Sequence, residues 1–415
     1  MIDLSRHLRP GDTVLLGQGT SEPRALVEAL IEQRHALGGL RVFVGASFTG
    51  LLRPEHADAL SFVSYGGVGE TSRLAEAGVL EILPVHLTEI PRLLSAGHLR
   101  VDAVLAQVGT TRAGGHHSLG LAADFLQPAI ALARVTLAEV NPRVPHTHGD
   151  TLVHHSQLAE TVDDDRPLIE VAGRTPTAVD RAIAGHIGGL IPDGATIQVG
   201  VGATPDAVLS ELRHARDLGL HSGLMTDGLV GLVEAGVITN ARKEIDAGIS
   251  VAGALFGTER LYRWADDNPT LRMRTVGYTH NPRVLASLGT FFCVNSAIEV
   301  DLTGQINGEV AAGRYVGTVG GQGVFTRAAI SSEHGRSIIA LGSTGVGGTV
   351  SRIVGSLSGS VVSTARADAD IIVTEHGVAD LRGASIDERV RRMVAIAHPD
   401  FRDSLSAGAA GRRWG

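Results

Sequence analysis

The chemistry this chain can do starts with backbone amides. Gly200-Val201-Gly202 follows an apolar run and precedes a stretch that reads as a helix opened near Pro205. A strand, a Gly-x-Gly turn and a helix start bring N–H groups and a positive helix end together, which suits an anion or a developing oxyanion. The same turn also serves simple strand-to-helix packing, so the Gly200, Val201, Gly202 and Ala203 amides stand as candidates. The pattern is not GxGxxG, and no acidic residue follows at ribose-binding distance within a strand, which disfavours a dinucleotide. Two further clusters, Gly317–Gly323 (with Gly320, Gly321, Gln322, Gly323) and Gly342–Gly348 (with Ser343, Thr344, Gly347), interrupt apolar sequence. Ligands bind at such loops at the carboxyl ends of parallel strands. Three of them in one half point to an extended, phosphate-bearing ligand. His221, in His221-Ser222-Gly223, is a candidate general base or an ordinary loop histidine.

Other reactive residue types offer less. His116, His117, His146, His148, His154 and His155 invite a metal reading, but no carboxylate spacing completes a site, so no metal is expected. The single Cys293 lies in the apolar run Phe291-Phe292-Cys293-Val294 and reads as core; it also fits a reducing interior. A net charge of -8 argues against a nucleic-acid partner. No run approaches the roughly 18 apolar residues a membrane span needs, so no membrane partner is expected. The start Met1–Arg6 lacks the apolar core of a signal peptide, and the expected location is cytoplasmic.

The elements that must carry these loops form a repeat. Gly11–Gly19 ahead of Pro23 and Leu26 matches Gly194–Gly202 ahead of Pro205 and Val208, after one deletion. Runs at Leu40–Ala46, Val101–Val108, Arg134–Val140, Ile338–Leu341 and Ile371–Thr374 read as buried strands between helical stretches. The expected fold class is α/β, with two related open, largely parallel domains at 1–175 and 176–415. Thr161–Arg174 reads as the linker, and Ala407–Gly415 as a frayed end.

Several longer segments carry a specific likeness: Ser47-Phe48-Thr49-Gly50-Leu51-Leu52, Pro145-His146-Thr147-His148-Gly149, Asn295–Gln305, Val373–Gly383 and Ala397–Arg402. With them the chain resembles the CoA-transferase/acetyl-CoA hydrolase family over nearly its whole length, and its 4-hydroxybutyrate CoA-transferase branch most. The resemblance implies a two-domain CoA-transferase-type fold with a coenzyme A thioester as substrate along the C-terminal half. It further implies a glutamate that attacks the acyl-CoA and passes through a glutamyl-CoA thioester, backed by the Gly-x-Gly amides.

At the nucleophile's position this chain has Gly223. Val324, Gly342 with Val346, and Gly109–Arg112 also depart from the family pattern, while the scaffold segments do not. Losing a covalent nucleophile costs on the order of a millionfold in turnover, whereas one oxyanion donor is worth only about 2.7–4 kcal/mol. Glu299 and Glu375 belong to segments found beside an intact nucleophile, so structural or CoA-adjacent roles fit them better; Glu299 counts among the CoA-binding candidates. The expectation is acyl transfer from a CoA or acyl-carrier thioester to a small nucleophilic acceptor without a glutamyl-CoA intermediate, which would suit a specialised biosynthetic pathway. Conventional CoA transfer or hydrolysis, and a catalytically silent CoA-binding homologue, stay open as alternatives, as does a homo-oligomer.

Overall fold

The computed structural model describes residues 2–112 and 114–410. Each copy of the repeat becomes an inner strand of a sheet. Thr13–Leu16 lies between Leu40–Phe43 and Ala103–Val108. Thr196–Val199 lies in the same way between Gly219–Leu220 and Phe291–Ser296. Both inner strands are buried along their whole length, because helices cover both faces and every side chain must be apolar or satisfied.

The first sheet has seven strands, all parallel, in the order Leu80–Ile82, Leu60–Ser64, Leu40–Phe43, Thr13–Leu16, Ala103–Val108, Val135–Val140 and Glu160–Asp163. The second has six: Gly219–Leu220, Thr196–Val199, Phe291–Ser296, Arg336–Ala340, Ile371–Thr374 and Gly377–Asp380, of which only the last pair is antiparallel. Two largely parallel α/β sheets are what the alternating runs predict. The assigned linker is corrected at its start: Thr161–Asp163 pairs with Ala138–Val140 as the sheet's last strand. The expected frayed end is corrected too. Ala407–Ala410 close the helix Pro399–Ala410, with Ala409 packed in the core, while 411–415 lie outside the described residues.

The two glycine turns of the repeat do different work. Gly19 has φ +62°, and a Cβ there would stand 2.5 Å from the Phe256 ring. Its neighbour Thr20 binds the second half, through Oγ1 to the Leu255 carbonyl (2.6 Å), while Gln18 Nε2 donates to Asp124 (2.5 Å) within the first half. The first copy is therefore a packing joint. Gly202 has φ +130°, a conformation reserved for glycine, and a Cβ there would meet only Pro205, at 3.8 Å. The second copy is open. No helix among the described residues is long and apolar enough to cross a membrane.

Candidate active site

Strands of the second sheet deliver the Gly200 and Gly342 loops, while the Gly317–Gly323 loop follows the separate hairpin strand Arg314–Tyr315. The Gly200 amide donates to the Val294 carbonyl (3.0 Å), and Asn295 next to it exchanges amide hydrogen bonds with Gln198 (3.0 and 3.3 Å). The helix Ala203–Glu211 starts at Gly202, and its Thr204 hydroxyl donates to Asp180 (2.5 Å). Beside Asp180, Val179 stands 3.5 Å from the Cβ position of Gly342. Val201 and Val179 leave 47% and 39% of their surface exposed, an apolar margin beside amides that face open space. Among the described residues, Val201 and Gly202 donate no backbone hydrogen bond. Unpaired amides beside an exposed apolar strip can take an oxyanion or phosphate on one side and an aliphatic arm on the other.

The third loop is braced from beneath. Ser343 donates from its amide (2.9 Å) and hydroxyl (2.6 Å) to Glu375, whose carboxyl is held below its ordinary range by these bonds against the opposing pull of burial. Glu375 thus supports the loop and is not a free acid. Thr344 bridges to Ser351, and Gly347 is exposed at φ +73°; the Val346 side chain lies outside the described part. Glu299 accepts from Asn307 Nδ2 (3.3 Å) on a small three-stranded sheet.

In the Gly317–Gly323 cluster the absent side chains make room for protein neighbours. A Cβ on Gly321 would collide with His280 Nε2, and one on Gly323 would stand 2.9 Å from His86. Gly320 accepts from the Leu87 amide (3.1 Å) of the first half. Gln322, opening the helix Gln322–Ser331, donates to the Ser296 carbonyl (2.8 Å) and so ties this cluster to the Gly200 loop.

Gly223 sits against the same ring. Its carbonyl accepts from the Gly253 and Ala254 amides, both at 3.1 Å, which fixes its position. A Cβ built there has His280 Cε1 at 2.9 Å, His280 Nε2 at 3.2 Å and Phe325 Cε2 at 3.8 Å as its three nearest neighbours. The nearest groups are aromatic, and none of them is a carboxylate. Gly223, His280, Gly321 and Phe325 thus form one cluster, joined through Gln322 and Ser296 to Gly200. His280 and His86 were not found from sequence. His280 lies in Thr279-His280-Asn281-Pro282, which signals a helix start at Pro282 and nothing about its distance from Gly223.

His221 and Ser222 are both wholly buried. His221 Nε2 lies 3.0 Å from the Thr279 carbonyl, and its Nδ1 is buried without a partner. Burial, helped by the Lys243 ammonium, lowers its pKa to about 4. Burial lowers His280 to about 3, with His221 adding to the effect. Both rings are therefore neutral at neutral pH. Cys293 is buried beside Ser337 (3.3 Å) and its thiol is pushed up to about 11 by burial, so it is an inert core residue.

The histidine pair His146 and His148 acquires a carboxylate that spacing along the chain did not reveal. Ligand atoms of both, and of Asp267, lie within 4.8 Å of one another. Arg112 already stands 3.7 Å from Asp267, with His148 Nε2 at 3.1 Å, so the guanidinium supplies positive charge there. The altered turn Gly109–Arg112 lines a separate cleft of about 460 Å³ with Tyr262 and Arg263, sharing no residue with the Gly223 cluster.

Two open α/β sheets joined by an internal repeat, with the Gly200 and Gly342 loops at carboxyl ends of the second sheet's strands, define a CoA-transferase-type protein. Residues 2–172 match the acetyl-CoA hydrolase/transferase N-terminal domain and 257–409 the C-terminal domain, so the chain belongs to that family. The stretch between the two matches carries both the Gly200 loop and Gly223. The chain is 37% identical to the 4-hydroxybutyrate coenzyme A transferase of Clostridium kluyveri, over 94% of this chain and 92% of the relative. It superposes on RipA from Yersinia pestis with a TM-score of 0.93 at 34% identity, covering 98% of this chain and 95% of that one. The 4-hydroxybutyrate CoA-transferase from Porphyromonas gingivalis gives a TM-score of 0.83 at 32% identity, covering 99% and 96%.

Proposed function

We propose that this protein takes the acyl group of a CoA thioester and passes it directly to a small nucleophilic acceptor, with no glutamyl-CoA thioester on the way. One observation carries the reading: at residue 223 an imidazole and a phenyl ring fill the space that a glutamate stem would need. A carboxylate nucleophile is missing, and no acid side chain is among the nearest neighbours that could replace it. The amides of Gly202 and Ala203 suit the oxyanion that forms as the acceptor attacks. The apolar margin at Val179 and Val201 suits the aliphatic arm of CoA, with phosphates toward the loops containing Gly320–Gly323 and Ser343–Gly347. The relatives' names join acyl-CoA to carboxylic acids, and that supports the thioester substrate more than the acceptor. A reshaped pocket on an unaltered scaffold fits a place in a specialised biosynthetic pathway.

Product analysis tests this reading. With butyryl-CoA and a mixture of hydroxylamine, glycine and acetate, the butyryl group is expected on an amine or hydroxyl acceptor, with free CoA released. Formation of acetyl-CoA with the amines left untouched overturns the proposal in favour of conventional transfer. Binding of butyryl-CoA with no turnover overturns it in favour of a silent homologue.

A further inference from the structure

Thr279 touches both buried imidazoles, one through its carbonyl and one through its hydroxyl. The Thr279 carbonyl can only accept, so His221 Nε2, 3.0 Å away, carries the proton and donates. The Thr279 hydroxyl lies 2.8 Å from His280 Nδ1 and 3.3 Å from the Thr275 carbonyl. With the hydroxyl donating to that carbonyl, Oγ1 accepts from His280 Nδ1–H and the ring presents a lone pair at Nε2. The lone pair of His221 is at Nδ1, sealed in and without a partner. Among the described residues His280 Nε2 has no hydrogen-bond partner, and the residue keeps 3% of its surface exposed. That nitrogen stands 3.2 Å from the Cβ position of Gly223 and closest of all to Gly321. The Phe325 ring backs it, with centroids 4.4 Å apart.

We propose that His280 Nε2 is the general base of this site and that it selects a protic acceptor. This rests on direct acyl transfer as proposed above. The nitrogen takes the proton of the acceptor's N–H or O–H as that atom bonds to the thioester carbonyl carbon. It returns the same proton to sulfur as the C–S bond breaks, so the products are the acylated acceptor and CoA thiol, and the ring ends as it began. A carboxylate has no proton to give at neutral pH and gains nothing from the base, so the base favours a protic acceptor over it. Burial keeps the resting ring neutral, so it is not already protonated at neutral pH. His221, the base candidate from sequence, serves instead to hold the Thr279 backbone.

The test compares wild type, His280→Asn and Thr279→Val with butyryl-CoA, using hydroxylamine as the protic probe and acetate as the aprotic one. General-base catalysis is worth about 10²–10⁴-fold. His280→Asn is therefore expected to lower kcat toward hydroxylamine by about that factor, with desulfo-CoA affinity within about twofold of wild type. Thr279→Val, which frees the tautomer but leaves the ring in place, is expected to lower kcat about tenfold with KM unchanged. If His280→Asn does not fold, Thr279→Val carries the test alone. Wild-type kcat in a folded His280→Asn overturns the base assignment and leaves direct transfer standing, as does unchanged kcat in Thr279→Val when that variant alone is available. A wild type that forms only acetyl-CoA and butyrate, leaving hydroxylamine untouched, overturns direct transfer itself, and the base with it.

Discussion

Gly223→Glu by itself is expected to produce no CoA transfer between carboxylates, whereas Gly223→Glu with His280→Ala is expected to produce it. A new Cβ at 223 would stand 2.9 Å from the His280 ring, closer than real Cβ contacts come, and the ring cannot swing away freely. It is held by the Thr279 hydroxyl, backed by Phe325 and closed in by Gly321. Removing the imidazole opens a gap in which a glutamate stem can settle beside the oxyanion amides. Since a covalent nucleophile is worth on the order of a millionfold, even a badly aligned glutamate should lift acetyl-CoA formation from butyryl-CoA and acetate by about 10³-fold over the single variant. Activity in Gly223→Glu alone would show that the ring yields, and that position 223 by itself decides the chemistry.

Acid is expected to act on the same cluster through stability. His221 and His280 have folded pKa values of about 4 and about 3 against an ordinary 6.5. As pH falls below 6.5 the unfolded chain takes up protons that the folded chain refuses, so stability contributed by the neutral rings is lost with falling pH. At pH 5 each ring accounts for about 2 kcal/mol, from about 1.36 kcal/mol per unit. Glu139 works in the opposite sense: burial holds its carboxyl above the usual range, and protonation of the folded state adds stability as pH falls toward its unfolded value. Wild type alone therefore mixes two signs, and differences between variants separate them. Urea unfolding at pH 7.5 and pH 5 should show His221→Asn losing about 2 kcal/mol less than wild type, and Glu139→Gln losing more. Parallel losses in wild type and His221→Asn would contradict neutral burial of that ring.

The sheets were legible where a strand is a continuous apolar run, as at Ala103–Val108 or Ile371–Thr374, because burial on both faces leaves that mark in the sequence. Leu60–Ser64 and Leu80–Ile82 were not found. They lie toward one edge of the sheet, are short, and carry exposed Ser61 and Glu81, so their pattern resembles that of loops. The duplicated turn was legible as a repeat, but which copy stays open was not. That depends on Phe256, distant in sequence, filling the space over Gly19. Gly223 stood out because a resemblance defined what was missing. His280 did not, since its approach to Gly223 is made by the pairing of 221–223 with the strand Ser250–Ala252 and its extension, and by two short helices around Thr279. Such contacts leave no periodic signal in the chain.

The intact mass of the protein, measured after brief incubation with butyryl-CoA and quenching in acid, tests direct transfer most simply. The account predicts an unchanged mass while free CoA accumulates in the presence of hydroxylamine. A species heavier by one CoA, removable by borohydride and located on an acidic residue, would contradict it.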